Sequence, residues 1–342
     1  MQSRQSKSAF LLTLTFACIT AFADTSVSNS AQNNAQDNTS SPPPAKNVKL
    51  STSIVSTTNE MQTYQNGVKI NKNVLDSIPN GNGDISAALS ILPNVQTNNA
   101  SRTSNSPGEV NPANISISGG LPYQNSFQLD GFEMNNDIDP AGSTTNQNQR
   151  LRGGQSQGLN IDTSLLDSIS VQDSNISAAY GRFSGGVIEA NVRKPRTDGW
   201  HAGLSWQYTS SGMTKYHFLE GQEELANVSS NENFQPNFTK HIVRAYLEGY
   251  AAKNLGIIAS FSTARSLIPL QLYSTGTDTT KQDQKRQNDN YYIKAIYNPE
   301  ESFSLEANLA YMPGNNVYFI PGFKNSRYTM RSGGIQGGLK AL

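Results

Sequence analysis

Cysteine is almost missing from this chain: Cys18 is the only one among 342 residues. It lies within an N-terminal apolar stretch, so removal of that stretch leaves no disulfide, no cysteine nucleophile and no thiolate metal site. Charge bias is missing as well. The 26 basic and 26 acidic residues cancel, which gives no reason to expect nucleic acid or an anionic lipid surface as partner. Histidine is scarce, and His201, His217 and His241 have no metal-ligand spacing. After residue 23 no apolar run approaches the roughly 20 residues that a membrane helix needs. Membrane contact, if it occurs, therefore uses strands of a β-barrel or is peripheral.

What is present begins with a leader. Met1 to Lys7 carries Arg4 and Lys7 and no acid, Ser8 to Ala23 is apolar, and Ala21-Phe22-Ala23 ends it on small residues before Asp24. These are the three parts of a cleaved secretory signal, 1–23. Thr15-Phe16-Ala17 is a poor approach to Cys18 for a lipoprotein signal, so cleavage falls after Ala23. Residues 24–64 read as a flexible periplasmic tether, of which Asp24 to Lys49 is Asn, Ser, Gln and Pro with almost no aliphatic residue. Its β-prone island, Ser51, Thr52, Ser53, Ile54, Val55, Ser56 and Thr57, suits pairing with another protein's sheet edge; an ordinary first strand of the next domain is the other reading.

Residues 65–196 read as a compact α+β domain. Asp84 caps a helix in which Ile85, Ala88, Leu89 and Leu92 share a face, and Pro93 ends it. Strands are expected at Asn114–Ser118, at Phe127–Leu129 turned by Asp130-Gly131, at Ile169–Val171 and at Val187–Val192, with a small helix around Ile176 to Tyr180. The order of these pieces resembles the plug domain of TonB-dependent outer-membrane receptors. The matching pieces are Leu89-Ser90-Ile91-Leu92-Pro93-Asn94-Val95, Ile117-Ser118-Gly119-Gly120, Leu129-Asp130-Gly131, Ala178-Ala179-Tyr180-Gly181, Ser184-Gly185-Gly186-Val187-Ile188 and Lys194-Pro195. By the same resemblance Ser51–Thr57 stands where the family has its TonB box. Gly119 replaces a usual arginine, and Ser168 and Ser170 stand in a segment that usually carries charge, so the family's contacts between plug and barrel do not carry over.

From 197 to 342 the alternation is that of barrel strands. Trp200, Ala202, Leu204, Trp206 and Tyr208 share one face, as do Val243, Ala245, Leu247 and Gly249. Ile257, Ala259 and Phe261 follow, then Tyr291 to Tyr297, and Phe303, Leu305, Ala307, Leu309 and Tyr311. Short turns at Ala252 to Asn254 and Asn298 to Glu301 alternate with long polar gaps at Ser210–Lys240, Ser262–Asn290 and Met312–Met330. About six strands are present where a plugged transporter barrel has about 22, so the barrel is expected to be incomplete here, as in a partial or truncated product. The fold class is an α+β plug domain followed by the first strands of an antiparallel transmembrane β-barrel.

Catalytic patterns are weak. Gly154-Gln155-Ser156-Gln157-Gly158 matches a nucleophile elbow, but polar chain precedes it where a buried strand is required. Asn135, Asp137 and Asp139 resemble the start of a calcium loop, but Pro140 occupies the glycine position. Asp130 to Pro140 reads instead as an apical plug loop whose Glu133, Asn135, Asp137 and Asp139 face a ligand. His201 and His241 could face the lumen.

The resemblance implies a transporter rather than an enzyme, without cofactor, in the outer membrane of a Gram-negative cell. Its partners would be outer-membrane lipid, the TonB energy-transducing complex and a scarce small-molecule ligand: a ferric siderophore most commonly, or cobalamin or a glycan. A surface adhesin or structural barrel without transport is the alternative. If the leader is cleaved after Ala23, mass spectrometry of the exported protein will find a mature terminus of Asp24-Thr25-Ser26-Val27; an intact Met1 or a lipid on Cys18 refutes it.

Overall fold

The computed structural model describes residues 67–78, 81–97, 105–138, 156–221, 224, 228–275, 278–300 and 302–342. The leader, the tether, the island Ser51–Thr57, and Asp139 and Pro140 lie outside the described residues.

The plug region begins with β1 (Gly67–Asn71), which runs into α1 (Lys72–Ser77) as Asn71 Oδ1 accepts from the Val74 amide at 3.1 Å. α2 (Ile85–Leu89) starts where the sequence places it, with the Asp84 side chain accepting from the Ala87 amide at 2.8 Å. β2 (Val95–Thr97) pairs with β3 (Ile115–Ile117) as a small separate sheet. β4 (Ser126–Leu129), β5 (Phe132–Glu133), β6 (Leu166–Gln172) and β7 (Val187–Val192) join β1 in a five-stranded sheet of order β1-β6-β7-β4-β5. All its pairs are antiparallel except β4 with β7. Ile70, Phe127, Leu129, Ile169 and Ile188 fill its core with Leu75 and Leu89 from the helices. Each such side chain contributes roughly 1.5–3 kcal/mol through burial.

The helix expected around Ile176 to Tyr180 is absent. That stretch is a series of turns with Asn175 at φ 47° and Arg182 at φ 58°. The Ser177 hydroxyl accepts from the Ala179 amide at 3.2 Å, a local bond that competes with a helical turn.

The wall consists of β8 (His201–Ser210), β9 (Thr239–Ala252), β10 (Leu255–Thr275), β11 (Asp278–Glu300), β12 (Phe303–Tyr311), β13 (Gly314–Tyr318), β14 (Tyr328–Ser332) and β15 (Ile335–Ala341). Six of these follow one another antiparallel as β8-β9-β10-β11-β12-β15. The hairpin β13–β14 pairs with β11 beyond the end of β12. Among the described residues β8 pairs only β9 and β15 only β12, so the sheet is open. None of the described helices is long and apolar enough to cross a membrane.

The two wall faces are inverted relative to a soluble sheet. Leu204, Trp206, Leu247, Ile293 and Leu309 are exposed, whereas Glu248, Arg286 and Lys294 are buried. Phe261, Tyr291 and Tyr311 stand side by side across β10, β11 and β12, with ring centroids 5.1 and 5.9 Å apart. The climb from Phe303 to Tyr311 is about 27 Å along the strand, which at a tilt near 40° covers roughly 20 Å of an outer-membrane apolar band about 25 Å tall. His241 lies on this outer face, stacked on Trp206 at 6.1 Å, and not in the lumen.

The short turns occur where expected, and β9 begins only at Thr239. The gap at Ser262–Asn290, read as a loop, is instead the upper half of the β10–β11 hairpin, paired to Thr275 and Asp278. Met312–Met330 likewise contains β13 and the start of β14. The reason is apolar: Ile268, Leu270 and Leu272 alternate on the inner face and pack with Phe238 and Phe319 in a second buried cluster.

Burial, aided by the nearby Asp162 carboxylate, raises the Asp84 pKa from 3.8 to about 6. Its carboxyl therefore contributes stability fully below about pH 4, and that contribution is lost as pH rises through about 6. Asp84→Asn keeps a capping acceptor and buries no charge. It should stabilise the plug above pH 7 by on the order of 2 kcal/mol and have no effect below pH 4, read by hydrogen-exchange protection of α2 amides.

Candidate functional site

β5 climbs from the Asp130-Gly131 turn and ends at the mouth of a cleft. The cleft, about 500 Å³, lies between plug residues Glu133–Ile138 and wall residues Met330–Gln336, with Gln157 and Asn316 at its sides. Glu133 and Asp137 reach it, and Arg182 holds both, at 3.0 and 2.5 Å. Asn135 also lines it, with its side chain bonded to β4 and the residue before it: its Oδ1 accepts from the Phe127 amide at 2.7 Å and its Nδ2 donates to the Asn125 carbonyl at 2.8 Å. Ser156 donates its hydroxyl to Asn114 Oδ1 at 3.1 Å.

The loop expected over Asp130 to Pro140 is not apical along its whole length. Asp130 and Gly131 (φ 50° and 82°) form the tight turn between β4 and β5 at the opposite end, against the wall. Two consecutive positive φ values match the right-handed strand twist, which is why Asp-Gly serves there.

The other motif residues mark close backbone approaches. A Cβ on Gly120 would lie 2.7 Å from Gly185 Cα, and one on Gly186 would lie 2.7 Å from Ile117 Cγ2. Gly119 (φ 81°) turns the chain after β3, and Pro93 sits in the turn between α2 and β2. Asn125, which the motifs do not include, ties these segments together. It is buried, donates to the Ile115 carbonyl at 2.8 Å and accepts from the Gly186 amide at 3.1 Å. Tyr180 accepts from Gln172 at 3.3 Å and donates to Glu189 at 3.4 Å, and Gly181 leads into the left-handed Arg182.

The plug is held to the wall by charges that sequence reading missed. Asp162 meets Arg244 at 2.7 Å, Glu109 meets Arg286 at 3.2 Å, and Arg193 meets Glu248 at 2.9 Å. Lys240 Nζ donates to Asn82 Oδ1 and to the Pro107 carbonyl, each at 2.8 Å. Asp130 does most: its Oδ1 accepts from the Val192 amide at 2.9 Å, and its Oδ2 accepts from Tyr292 Oη at 2.8 Å and Lys294 Nζ at 3.1 Å. The signal was present as charge on the face opposite the apolar one: Lys240, Arg244 and Glu248 recur every four residues on β9, as Arg286 and Lys294 share a face of β11. Asp130→Asn combined with Lys294→Met in a double-mutant cycle should give a coupling of about 1–3 kcal/mol in plug unfolding. Strict additivity would remove Asp130–Lys294 as a lock.

No protein-family profile matches the chain. The protein YddB of Escherichia coli is 29% identical over 256 residues, covering 74% of this chain and 32% of that protein. The crystal structure of YddB, an outer membrane transporter, superposes with a TM-score of 0.68 at 28% identity over 78% of this chain and 35% of its own. The ferric enterobactin receptor PfeA of Pseudomonas aeruginosa shares the fold, with a TM-score of 0.50 at 16% identity over 74% of this chain and 34% of its own. The chain thus spans about a third of the length of these relatives. A five-stranded sheet docked on the inner face of a strand wall whose other face is apolar is thus an arrangement similar to that of the outer membrane transporter YddB.

Proposed function

We propose that this chain forms the plug and first wall strands of a receptor that imports a scarce ligand across the outer membrane with energy from the TonB complex. The observation that carries the reading is the nature of the plug's seat. Ion pairs and hydrogen bonds such as Asp162–Arg244 and Glu109–Arg286 line it, and polar contacts of that kind can exchange for water when the plug is pulled. An apolar seat of the same area would resist extraction far more strongly.

In this proposal the cleft between Glu133–Ile138 and Met330–Gln336 is the ligand-facing side. Arg182, paired with Glu133 and Asp137, sets charges of both signs at its edge. A ferric siderophore is the proposed ligand class, the reading the family resemblance favours, with cobalamin and glycans as the competitors a binding assay must include. The plug spans 65–196 and the wall starts at 197. The protein is placed in the outer membrane after leader removal.

The coupling segment in this proposal is Ser51–Thr57, which lies outside the described residues. A strand added to a partner's sheet works through its backbone, and proline removes a donor and sets φ. Ile54→Pro or Val55→Pro should abolish uptake of radiolabelled ligand by whole cells while surface binding stays near normal, and Ile54→Ala should be much milder. Normal transport by both proline variants would place the coupling segment elsewhere.

A further inference from the structure

One plug segment leaves the polar seat and enters the external half of the wall. It is the turn 105–111, in which the Glu109 amide donates to the Ser106 carbonyl at 3.1 Å. Glu109 Oε1 accepts from the Val110 and Asn111 amides at 3.1 Å each, and Asn82 Nδ2 steadies the turn from the plug side on the Glu109 carbonyl at 2.9 Å. The external segment 229–238, between β8 and β9, folds onto this turn. Its Gln235 amide donates to the Asn105 carbonyl at 2.6 Å. Gly108 lies flush against the same residue: a Cβ there would stand 2.9 Å from Gln235 Oε1, 3.0 Å from Phe238 Cβ and 2.7 Å from Ile268 Cγ1. The Gly108 backbone is not left-handed, so it is space and not conformation that calls for glycine.

A relay of side chains makes a second connection between the two. Glu109 Oε2 accepts from Arg286 Nε at 3.2 Å, Arg286 Nη2 donates to Gln284 Oε1 at 2.7 Å, and Gln284 Nε2 donates to Glu232 Oε1 at 3.2 Å. Arg286 and Gln284 are buried, so the relay runs from plug turn to external segment out of reach of water. Gln235 Nε2 closes it by donating to the Glu232 carbonyl at 2.8 Å.

The wall holds the two ends of the segment, through the Gln271 amide on the Ser229 carbonyl at 2.8 Å and through Phe238 in the upper apolar cluster. Between those ends, Glu232 and Gln235 are bonded toward the plug turn. Phe234 meets Tyr216 and Phe218 edge-on, with ring centroids 6.2 Å apart in each pair. The segment therefore carries that neighbouring part of the external chain with it.

We propose that the turn 105–111 is a latch on the external segment 229–238: seated, it holds the segment docked, and displaced, it releases it. Plug position and external closure are then one equilibrium. Displacing the turn takes away the acceptor of the Gln235 amide and the carboxylate of Arg286, and a buried guanidinium without its carboxylate is costly. That cost falls when the segment opens and water reaches the guanidinium. By reciprocity of coupling, a docked segment stabilises the seated turn to the same extent. The inference goes beyond the import reading, since it concerns contacts of the resting protein and its test needs neither ligand nor TonB.

The test uses the receptor purified from outer membranes in detergent, with amide hydrogen exchange read by mass spectrometry. Gly108→Val wedges the turn away from Gln235 and Ile268. Exchange across 229–238 should then rise about tenfold, while β6, β7 and residues 247–252 of β9 keep wild-type rates. Glu109→Gln removes the carboxylate without adding bulk and should raise the same amides by a smaller factor; it carries the test alone if the valine variant does not fold. Gly181→Ala, where a Cβ meets nothing within 4 Å, should change neither region. In the reverse direction, Phe234→Ala should raise exchange across 105–111. The latch is overturned by a rise confined to 105–111 in Gly108→Val, or by a rise that reaches β6 and β7 equally. Wild-type rates at 229–238 in Glu109→Gln, or at 105–111 in Phe234→Ala, overturn it as well.

Discussion

A charge buried against the inner face of a strand wall must be met by an opposite charge or by hydrogen bonds, and this constraint organises the molecule. Asp130 shows it in one side chain. The carboxylate closes a tight turn, anchors the end of β7 through the Val192 amide, and neutralises Lys294 on the wall. The left-handed backbone at Asp130 and Gly131 brings the carboxylate to that position. Turn chemistry and docking of plug on wall are therefore one requirement at this residue. Arg244, Arg286 and Glu248 repeat the arrangement at other heights, each opposite a plug group of the other sign.

The same rule explains how the upper hairpins are built. Above the plug no charged partner surface is needed, and the inner face turns apolar at Ile268, Leu270 and Leu272. Phe238 and Phe319 close over them, giving the external segments a small core of their own. Gly108 of the plug fits against it, since a Cβ there would lie 2.7 Å from Ile268 Cγ1. Arg286 links the two regimes, with its guanidinium paired to Glu109 at 3.2 Å and stacked 3.9 Å over the Tyr318 ring.

Much of this was legible in the residue pattern. The cap at Asp84, the strands at Val187–Val192 and Phe303–Tyr311 and the turn at Asp130-Gly131 follow from local rules of side-chain capping, two-residue periodicity and positive φ. The hairpin above Ser262 was not legible, because polar composition on its outer face masks the apolar alternation within. The Ile176–Tyr180 stretch misled for the opposite reason, since its composition allows a helix but local serine bonding and left-handed residues break it. Glu133 and Asp137 line the cleft, whereas Asn135 uses its amide to hold β4.

The chain's own order of residues was enough to establish the class: an α+β plug followed by strands with one lipid-compatible face. Those properties are set within a few residues of each position, by backbone preference and by hydrophobic alternation. The docking of plug on wall was beyond its reach. Asp130 and Lys294, or Glu109 and Arg286, lie more than 160 residues apart, and they meet only because strand register fixes which wall residues face inward and at what height. A shift of one residue in β11 would turn Arg286 and Lys294 toward lipid; the local alternation shows which face each takes but not the height at which it meets its plug partner.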